Sequence, residues 1–269
     1  MIFDAARMAY VDGIALWSPR LPGWNAARRI LLGEIPGPDG DAARPSPILL
    51  PPNERRRAPD TVALSLEVAS QACAQAGIDP ATLPSVFTST HGDLAVTDYM
   101  CSTLASDPAL VSPTRFHNSV HNAAAGYWTI ATGCRAPYTA VSANEYSFAQ
   151  GLLEALLQIH ETGHVLLVAY DIEAKGLIST VAPSKGMLGV ALVLSRQRSA
   201  TTKVALSWNI SETREAPGAS ASPRNSALVA GNAMQACLPM MEALAGLIDI
   251  VTIPLGTGLA LHLHVHPTS

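Results

Sequence analysis

Two segments of this chain are apolar almost all round a helix, and this pattern constrains the fold more than any other feature. They run from Tyr146 to Ile159 and from Ala233 to Leu247. A helix without a polar face has to lie inside a protein, so we predict that both helices lie between two sheets. Short apolar strands alternate with helices along the chain, which indicates an α/β layered architecture, and we predict strands at 85–90, 138–141, 165–169, 189–194, 204–209 and 260–265.

The two apolar helices also resemble each other in sequence. Residues 151–157 read Gly-Leu-Leu-Glu-Ala-Leu-Leu, and residues 239–245 read Pro-Met-Met-Glu-Ala-Leu-Ala. Because strands flank both helices, we predict a duplicated βα arrangement.

Local signals predict the remaining elements. Asp60 is a good N-cap for a helix that Gly77 closes. The other predictions are an opening strand and turn at 9–19, a short helix at 24–32, an irregular segment at 33–52, helices at 61–75, 98–104 and 117–132, and a linker at 212–225.

The composition limits the kinds of partner that the chain can have. Charged residues make up 14% of the 269 residues, against roughly 25% in ordinary soluble domains, and hydrophobic residues make up 48%. With so few charges, the chain is expected to bury part of its surface against a partner. The net charge of −4 argues against binding of nucleic acid, which requires a basic face.

Targeting and redox signals are weak. The N-terminus does not resemble a signal peptide, and the most apolar stretch, Leu244–Leu261, is interrupted by Asp249 and Pro254. The four cysteines lie far apart without CxxC spacing. We therefore expect a cytoplasmic protein without a membrane span, a disulfide framework, a metal or a cofactor. The basic run 55–57 is expected to be a solvated face, with docking of an acidic partner as the alternative.

The segment from His121 to Pro137 carries a resemblance to a known family. It reads His-Asn-Ala-Ala-Ala-Gly-Tyr-Trp-Thr-Ile-Ala-Thr-Gly-Cys-Arg-Ala-Pro, which is similar to the Asn-x-x-Ala-Gly-x-x-x-Ile…Gly-x-x-Gly-Pro segment of beta-ketoacyl synthases. In that family the nucleophilic cysteine follows the proline by eight residues, at a strand–helix junction. The same count reaches Glu145 here, with Ser147 in the place of the family's serine, and a slip of one residue would place Asn144 there instead.

A second segment resembles the start of the family's second buried helix, Lys-x-x-x-Gly-His-x-x-x-Ala. Here Ala227 stands in the place of the lysine and Asn232 in the place of the histidine. The ending 253–258, Ile-Pro-Leu-Gly-Thr-Gly, is similar to the family's terminal glycine-rich loop. The region that carries the family's His-Gly-Thr motif is reduced to the short linker.

These replacements imply that the chain does not perform the family's condensation. A decarboxylating Claisen condensation requires a thiolate to carry the acyl chain and imidazoles to stabilise the developing charge. Glutamate and asparagine supply neither. We therefore expect no catalytic residues, and we interpret Glu145 and Asn232 as degenerate active-site positions.

The phrases at 115–128 and 50–57 resemble the short chain-length-factor-like proteins of aryl polyene and xanthomonadin-type pigment pathways. The resemblance implies a thiolase-like αβαβα fold with a truncated second half, as a single domain over 1–269 whose halves meet near 175. It also implies pairing with an active ketosynthase through the region from His117 to Val141, and contact with an acyl carrier protein. The residues expected at the partner interface or tunnel are Phe116, His117, Asn118, His121, Asn122, Tyr127, Trp128, Ser147 and Phe148.

Other functions stay open at this point. The chain could act alone as a malonyl- or acyl-carrier-protein decarboxylase or acyltransferase that uses Glu145. It could also be a carrier-protein-binding module without a ketosynthase partner, or a homodimer. His117 and His121, four residues apart, and the alternating 262, 264 and 266 histidines have metal-ligand spacings, but packing or exposure on a strand is the favoured interpretation.

Overall fold

The computed structural model of the protein describes residues 7–39, 43–213 and 221–267. In these residues the strands form one mixed sheet. They are β1 (Arg7–Ser18), β2 (Leu21–Pro22), β3 (Ser85–Thr88), β4 (Tyr138–Val141), β5 (His164–Asp171), β6 (Leu188–Ser195), β7 (Val204–Glu212), β8 (Ile250–Gly256) and β9 (Leu259–Pro267). The sheet order is β4-β3-β5-β6-β1-β7-β9-β8, and β2 pairs with the end of β1.

The helices connect and cover these strands. They are α1 (Trp24–Leu32), α2 (Pro52–Arg57), α3 (Asp60–Ala76), α4 (Leu94–Ser106), α5 (Pro113–His117), α6 (Ala123–Thr132), α7 (Ser147–Thr162), α8 (Pro223–Ser226) and α9 (Leu238–Ala245). Short 3-10 turns occur at Pro80–Thr82, Pro108–Leu110, Asn144–Tyr146, Gly176–Thr180 and Gln235–Cys237.

The strand order shows the internal duplication. Outward from the antiparallel β1–β7 pair, the sheet continues through β6 and β5 on one side and through β9 and β8 on the other, and each of these pairs is antiparallel. α7 leads into β5 and β6, as α9 leads into β8 and β9. The parallel strands β3 and β4 have no counterparts in the described second half. The predicted duplication and the predicted truncation are therefore both visible in the sheet.

Two apolar cores lie on opposite faces of the sheet. α1, α7 and α9 share one core with side chains from β1 and from β5 to β9, whereas α3 and α6 pack on the other face of the first half. The order of layers is thus helices, first-half sheet, central helices and second-half sheet. This confirms the thiolase-like layered fold.

The outer face of the second-half sheet is polar. His262, His264 and His266 alternate along β9, and Ser207 and Ser211 of β7 hydrogen-bond two of their rings. His264 is exposed and His262 and His266 are half-buried, so this face is open to solvent along β9.

The two apolar helices differ in how completely they are enclosed. All eight residues of α9 are buried, as predicted. α7 buries one side only, and Leu157 on its other side is 43% exposed. The prediction that both helices lie inside, between two sheets, therefore holds for α9 and for one side of α7.

Three local predictions need correction. The single helix predicted at 117–132 is two helices, α5 and α6, with a turn between them. Asp60 is the first residue of α3, and its carboxylate pairs with Arg44 at 2.5 Å rather than capping the helix. The strand β8 precedes the predicted last strand and forms a hairpin with it. Half of the predicted linker 212–225, residues 214–220, lies outside the described residues.

Gly13 of β1 allows close packing against α3. A Cβ atom there would lie 2.1 Å from the carbonyl oxygen of Ala72, which is backbone and cannot rotate away. We expect Gly13→Ala to lower the free energy of unfolding by about 3 kcal/mol, as overpacking of a filled core does. Gly126 in α6 is the matched control, because a Cβ atom there meets no atom within 4 Å.

We expect Gly126→Ala to raise the free energy of unfolding by about 0.5–1 kcal/mol, the helix-propensity gain of alanine over glycine. Urea unfolding followed by circular dichroism measures both variants. Equal effects of the two substitutions would contradict this account of the β1–α3 contact.

Candidate functional site

The candidate site lies where the three parallel strands β3, β4 and β5 end. Their last residues are Thr88, Val141 and Asp171, and the loops that follow share one edge of the sheet. In open α/β sheets, ligands bind in the crevice at the carboxyl ends of the strands. The second half reaches the same edge through Asn232, whose side chain contacts the end of β5.

A sharp turn joins β4 to α7. Asn144 has a φ of 51° and is the only non-glycine among the described residues with a positive φ. Ser147 fastens the turn, since its Oγ accepts a hydrogen bond from the Ala143 amide at 2.9 Å and donates one to the Asn144 carbonyl at 2.6 Å. Strand-to-helix turns of this kind present a nucleophile in other enzymes. Here the apex residue is asparagine, which is not a nucleophile.

The two candidates for the nucleophile position therefore differ in placement. Asn144 adopts the left-handed conformation at the apex, and the exposed Glu145 lines the cavity beside it. The hydroxyl of Thr88 donates to the Ser147 carbonyl at 2.8 Å and ties the end of β3 to the start of α7. The strand–helix junction that the sequence predicts is present, and the first residues of α7 are held firmly.

Asn232, which the sequence predicts to stand in the place of the family's histidine, is 2% exposed, and its amide group hydrogen-bonds to backbone groups. Its Nδ2 donates to the carbonyls of Lys185 at 2.9 Å and Asp171 at 3.3 Å, and its Oδ1 accepts from the Met234 amide at 2.9 Å. The side chain thus holds the second half against β5. It has no hydrogen-bonding capacity directed at a substrate.

Asp171, which sequence reasoning missed, is the centre of a buried network at this edge. Its carboxylate accepts hydrogen bonds from the Ser89 hydroxyl at 2.7 Å and from the amides of Thr90 and His91 at 2.9 and 3.2 Å. Burial raises the pKa of the carboxyl group above its ordinary value, and these hydrogen bonds offset the increase only in part. The signal in the sequence was a carboxylate at the end of a fully apolar strand.

His121 joins the same network from the start of α6. Its Nε2 lies 3.0 Å from the Ser89 carbonyl oxygen. His117 ends α5 and is exposed, so the turn at 118–122 breaks the helical spacing that could have placed the two rings together. Among the described residues no group of three or more His, Cys, Asp or Glu could hold a metal ion.

A cavity of about 440 Å³, here called the elbow cavity, opens between the start of α7 and the start of α9. Glu145 is its charged lining residue, and neither a cysteine nor a histidine is among the described residues that line it. Cys237 lies just behind the wall and is fully buried, and this burial raises the pKa of its thiol to about 12. That thiol is therefore protonated at neutral pH. The other lining residues are Tyr146, Ala221, Ser226, Val229, Gln235, Ala236, Leu238, Pro239, Thr252, Ile253 and Pro254.

The residues predicted for a partner interface or tunnel fall into two groups. Phe116, His117 and Asn122 are exposed, and Tyr127 and His121 are half-buried. The other four, Asn118, Trp128, Ser147 and Phe148, are buried within this chain. A groove of about 770 Å³ between the segment 49–58 and α5–α6, here called the α2–α6 groove, brings His117, Asn118, Asn122 and Tyr127 together.

Comparison with known proteins decides the family. The sequence profile of the beta-ketoacyl synthase N-terminal domain matches residues 34–245, which is most of the chain. The chain belongs to the beta-ketoacyl synthase family. Among the curated proteins, none matches the sequence.

Solved ketosynthase-family structures show the same fold. A ketosynthase in complex with its chain length factor, ApeO and ApeC from Xenorhabdus doucetiae, aligns with a TM-score of 0.70 at 22% identity, over 96% of this chain and 99% of that chain. The AntDE:AntF complex, a ketosynthase with a type II polyketide acyl-carrier protein, aligns with a TM-score of 0.72 at 11% identity, over 98% of this chain and 100% of that chain. The ishigamide ketosynthase/chain length factor aligns with a TM-score of 0.68 at 15% identity, over 97% of this chain and 100% of that chain.

Within this ketosynthase-family fold, a second buried network joins α9 to α1, and sequence reasoning missed it as well. Glu242 of α9 accepts hydrogen bonds from the Ser222 amide at 3.1 Å and from Asn225 Nδ2 at 2.6 Å. Asn225 and Arg224 also donate to the Leu31 carbonyl at the end of α1. A single glutamate in an otherwise apolar helix was the available signal, since a buried carboxylate requires polar partners.

The described residues include no helix long and apolar enough to cross a membrane.

Removal of the Asn232 side chain tests its structural role. Asn232→Ala leaves the Lys185 carbonyl and the Met234 amide without these partners in a buried place, so we expect the free energy of unfolding to fall by about 2 kcal/mol. Glu145→Ala, at the exposed degenerate position, should change it by less than about 0.5 kcal/mol. Urea denaturation of both variants measures this, and an unchanged stability of Asn232→Ala would contradict the assignment.

The raised pKa of Asp171 predicts the sign of a pH dependence. The folded state retains the proton at pH values where the unfolded state has lost it, so the contribution of this group to stability is fully present below the unfolded pKa and is lost as the pH rises through the folded pKa. Asp171→Asn lacks this titration. We expect the stability of the wild type relative to Asp171→Asn to fall as the pH rises from about 4. Urea unfolding of both proteins across pH values measures this, and a difference that rises with pH would contradict it.

Proposed function

We propose that this ketosynthase-family chain is a non-catalytic subunit of the chain-length-factor type. It pairs with an active beta-ketoacyl synthase and forms part of the wall of the acyl tunnel in a type II pathway that builds a polyene-like chain. The observation that carries the proposal is the content of the elbow cavity, where a carboxylate lies at the turn and where no described thiol or imidazole lines the wall. Two of the similar solved structures are complexes of a ketosynthase with a chain length factor.

The nucleophilic groups near this edge support the absence of independent condensation. The Ser89 hydroxyl is buried and donates to Asp171, and the Ser147 hydroxyl is committed to the turn. The thiol of Cys237 is buried and protonated. None of these groups is both exposed and activated by a base, as covalent catalysis requires.

Glu145 also disfavours the rival function, decarboxylation of a malonyl group by this chain alone. A malonyl group carries its own carboxylate, and two like charges in one small cavity repel each other. Decarboxylation requires stabilisation of the enolate that forms, which a second negative charge opposes. The Glu145 carboxylate is therefore more compatible with a site that no longer binds a malonyl group than with a site that decarboxylates one.

The surface around α5, α6 and β4 has the character of an interface. Ile130 is 82% exposed and Phe116 is 61% exposed, and Val120 and Tyr138 are exposed beside them. Large apolar side chains that cluster at a surface are typical of binding sites for another protein. Burial of this cluster against a ketosynthase would also account for the low content of charged residues.

The strand β4 supplies a second reason to place the partner here. β4 is an outer strand of the sheet and pairs with β3 alone among the described strands, so its other edge offers backbone hydrogen-bonding groups. Exposed strand edges without protection pair readily with another chain. We propose that the partner covers this edge together with the α6 surface.

We propose that a carrier protein docks beside this interface. Arg56 and Arg57 of α2 are exposed, and Arg57 lies on the wall of the α2–α6 groove. Arginine side chains of this kind bind acidic partners through charge-assisted hydrogen bonds.

We further propose that the chain functions as a single domain in the cytoplasm.

Reconstitution tests this function. The chain is incubated with acyl- and malonyl-carrier protein, alone and with a candidate ketosynthase, and products are identified by mass spectrometry. Condensation only in the mixture, together with co-elution of the two chains, is the expected result. Turnover by this chain alone would establish an independent enzyme. Binding of carrier protein by a stable monomer that ignores the ketosynthase would establish a binding module.

A charge on the proposed interface should prevent pairing. We expect Ile130→Glu to raise the dissociation constant of the complex with the ketosynthase at least tenfold, because the carboxylate would be buried in the interface without a partner. Ile250→Glu is the matched control, since Ile250 is 64% exposed on β8 at the opposite edge of the sheet. Analytical ultracentrifugation measures both, and equal weakening by the two variants would contradict the placement of the interface.

A further inference from the structure

A cavity of about 620 Å³ lies at the end of α9 and is distinct from the elbow cavity at its start. The two cavities are separated by the eight residues of α9, about 12 Å of helix. α1, the start of β7 and the ends of α9 and β9 enclose this second cavity, here called the α9-end cavity. Its lining residues are Ile14, Trp24, Asn25, Arg28, Gln75, Lys203, Val204, Ala243, Leu244, Ala245, Gly246, Asp249, Val265 and Pro267.

The floor of the α9-end cavity is apolar. Ile14, Val265 and the last turn of α9 are buried members of the central core, and Trp24 packs against them while partly exposed. Gln75 is already engaged, since its Oε1 accepts a hydrogen bond from the Ile14 amide at 3.2 Å. An occupant would therefore place an apolar body against the floor and the Trp24 ring.

Charged side chains lie at the mouth of the cavity. Arg28 and Lys203 are its cationic lining residues and Asp249 is its anionic one, and all three are exposed. The side chain of Arg28 makes no hydrogen bond or ion pair with any residue that the structure describes. The adjacent Arg29 is paired, with its Nε 3.3 Å from Glu34.

We propose that the α9-end cavity binds a small organic oxyanion, a carboxylate or phosphate attached to a compact apolar body. The guanidinium of Arg28 presents parallel N–H donors that match the two oxygens of such a group, and Lys203 adds a second positive charge. The apolar body lies on Trp24 and the core residues of the floor. Sites of this size, with an apolar lining and a few polar groups that fix orientation, are typical of small-ligand binding.

Binding of four probes that share one ring tests the proposal. Benzoate and phenyl phosphate carry the oxyanion, benzyl alcohol is neutral and benzylamine is a cation. Saturation-transfer NMR and calorimetry on the full chain should show saturable binding of at least one anion, with a dissociation constant on the order of 1 mM for a ligand of this size, and weaker binding of the alcohol and the amine. Tighter binding of benzoate assigns a carboxylate ligand, and tighter binding of phenyl phosphate assigns a phosphate.

Two neighbouring arginines provide the matched variants. Arg28→Gln should weaken binding of the anion about tenfold and leave that of benzyl alcohol unchanged, whereas Arg29→Gln should bind as the wild type does. Both side chains are exposed, so both variants are expected to fold. No saturable binding of either anion, an equal effect of the two substitutions, or benzylamine binding as tight as benzoate would overturn the proposal. The assay uses the chain without a ketosynthase, so its outcome is independent of the proposed pairing.

Discussion

The antiparallel pairing of β1 with β7 is the contact on which the rest of the structure depends. It joins the two half-sheets into one, and side chains from both half-sheets pack into the single core that contains the central helices. α9 has no polar face apart from Glu242, and all eight of its residues are buried, with α1 and β8 among its neighbours. Burial of such a helix contributes on the order of 25 cal/mol per Å² of apolar surface, so the pairing and the core stabilise each other.

Buried polar side chains anchor the second half to the rest of the structure. α9 reaches α1 through Glu242 and Asn225, and the segment before α9 reaches β5 through Asn232. Each anchor satisfies backbone groups that burial would otherwise leave without partners, which costs about 1–3 kcal/mol per group. Asn232, the predicted counterpart of the family's histidine, thus makes structural contacts in this chain. Asparagine suits these contacts because its amide both donates and accepts.

The sequence predicted the layered α/β fold, the duplication and most strands, because the apolar periodicity of strands and of α9 reflects burial directly. The predictions from sequence failed where tertiary contacts determine the local structure. The composition of 117–132 suits one helix, but His121 turns inward to Ser89 and the chain breaks into two helices. The similar phrases of α7 and α9 concealed a difference, since Glu154 is half-buried and bonds to Gln158 whereas Glu242 is enclosed. Among the site residues, chain position identified Asn144, Glu145 and Asn232, but not the network around Asp171.

The two ends of the sheet are not equivalent. At one end β8 contains Pro254, which lacks an amide donor, and the adjoining outer face of β7 and β9 carries serine and histidine side chains that bond to each other. A proline and polar residues protect an outer strand from pairing with another chain. At the other end β4 contains neither proline nor charge, and the exposed Ile130 belongs to the neighbouring helix α6. The second-half end of the sheet is thus protected against pairing with another chain, whereas the edge of β4 carries no such protection, and this difference supports the proposed placement of the partner.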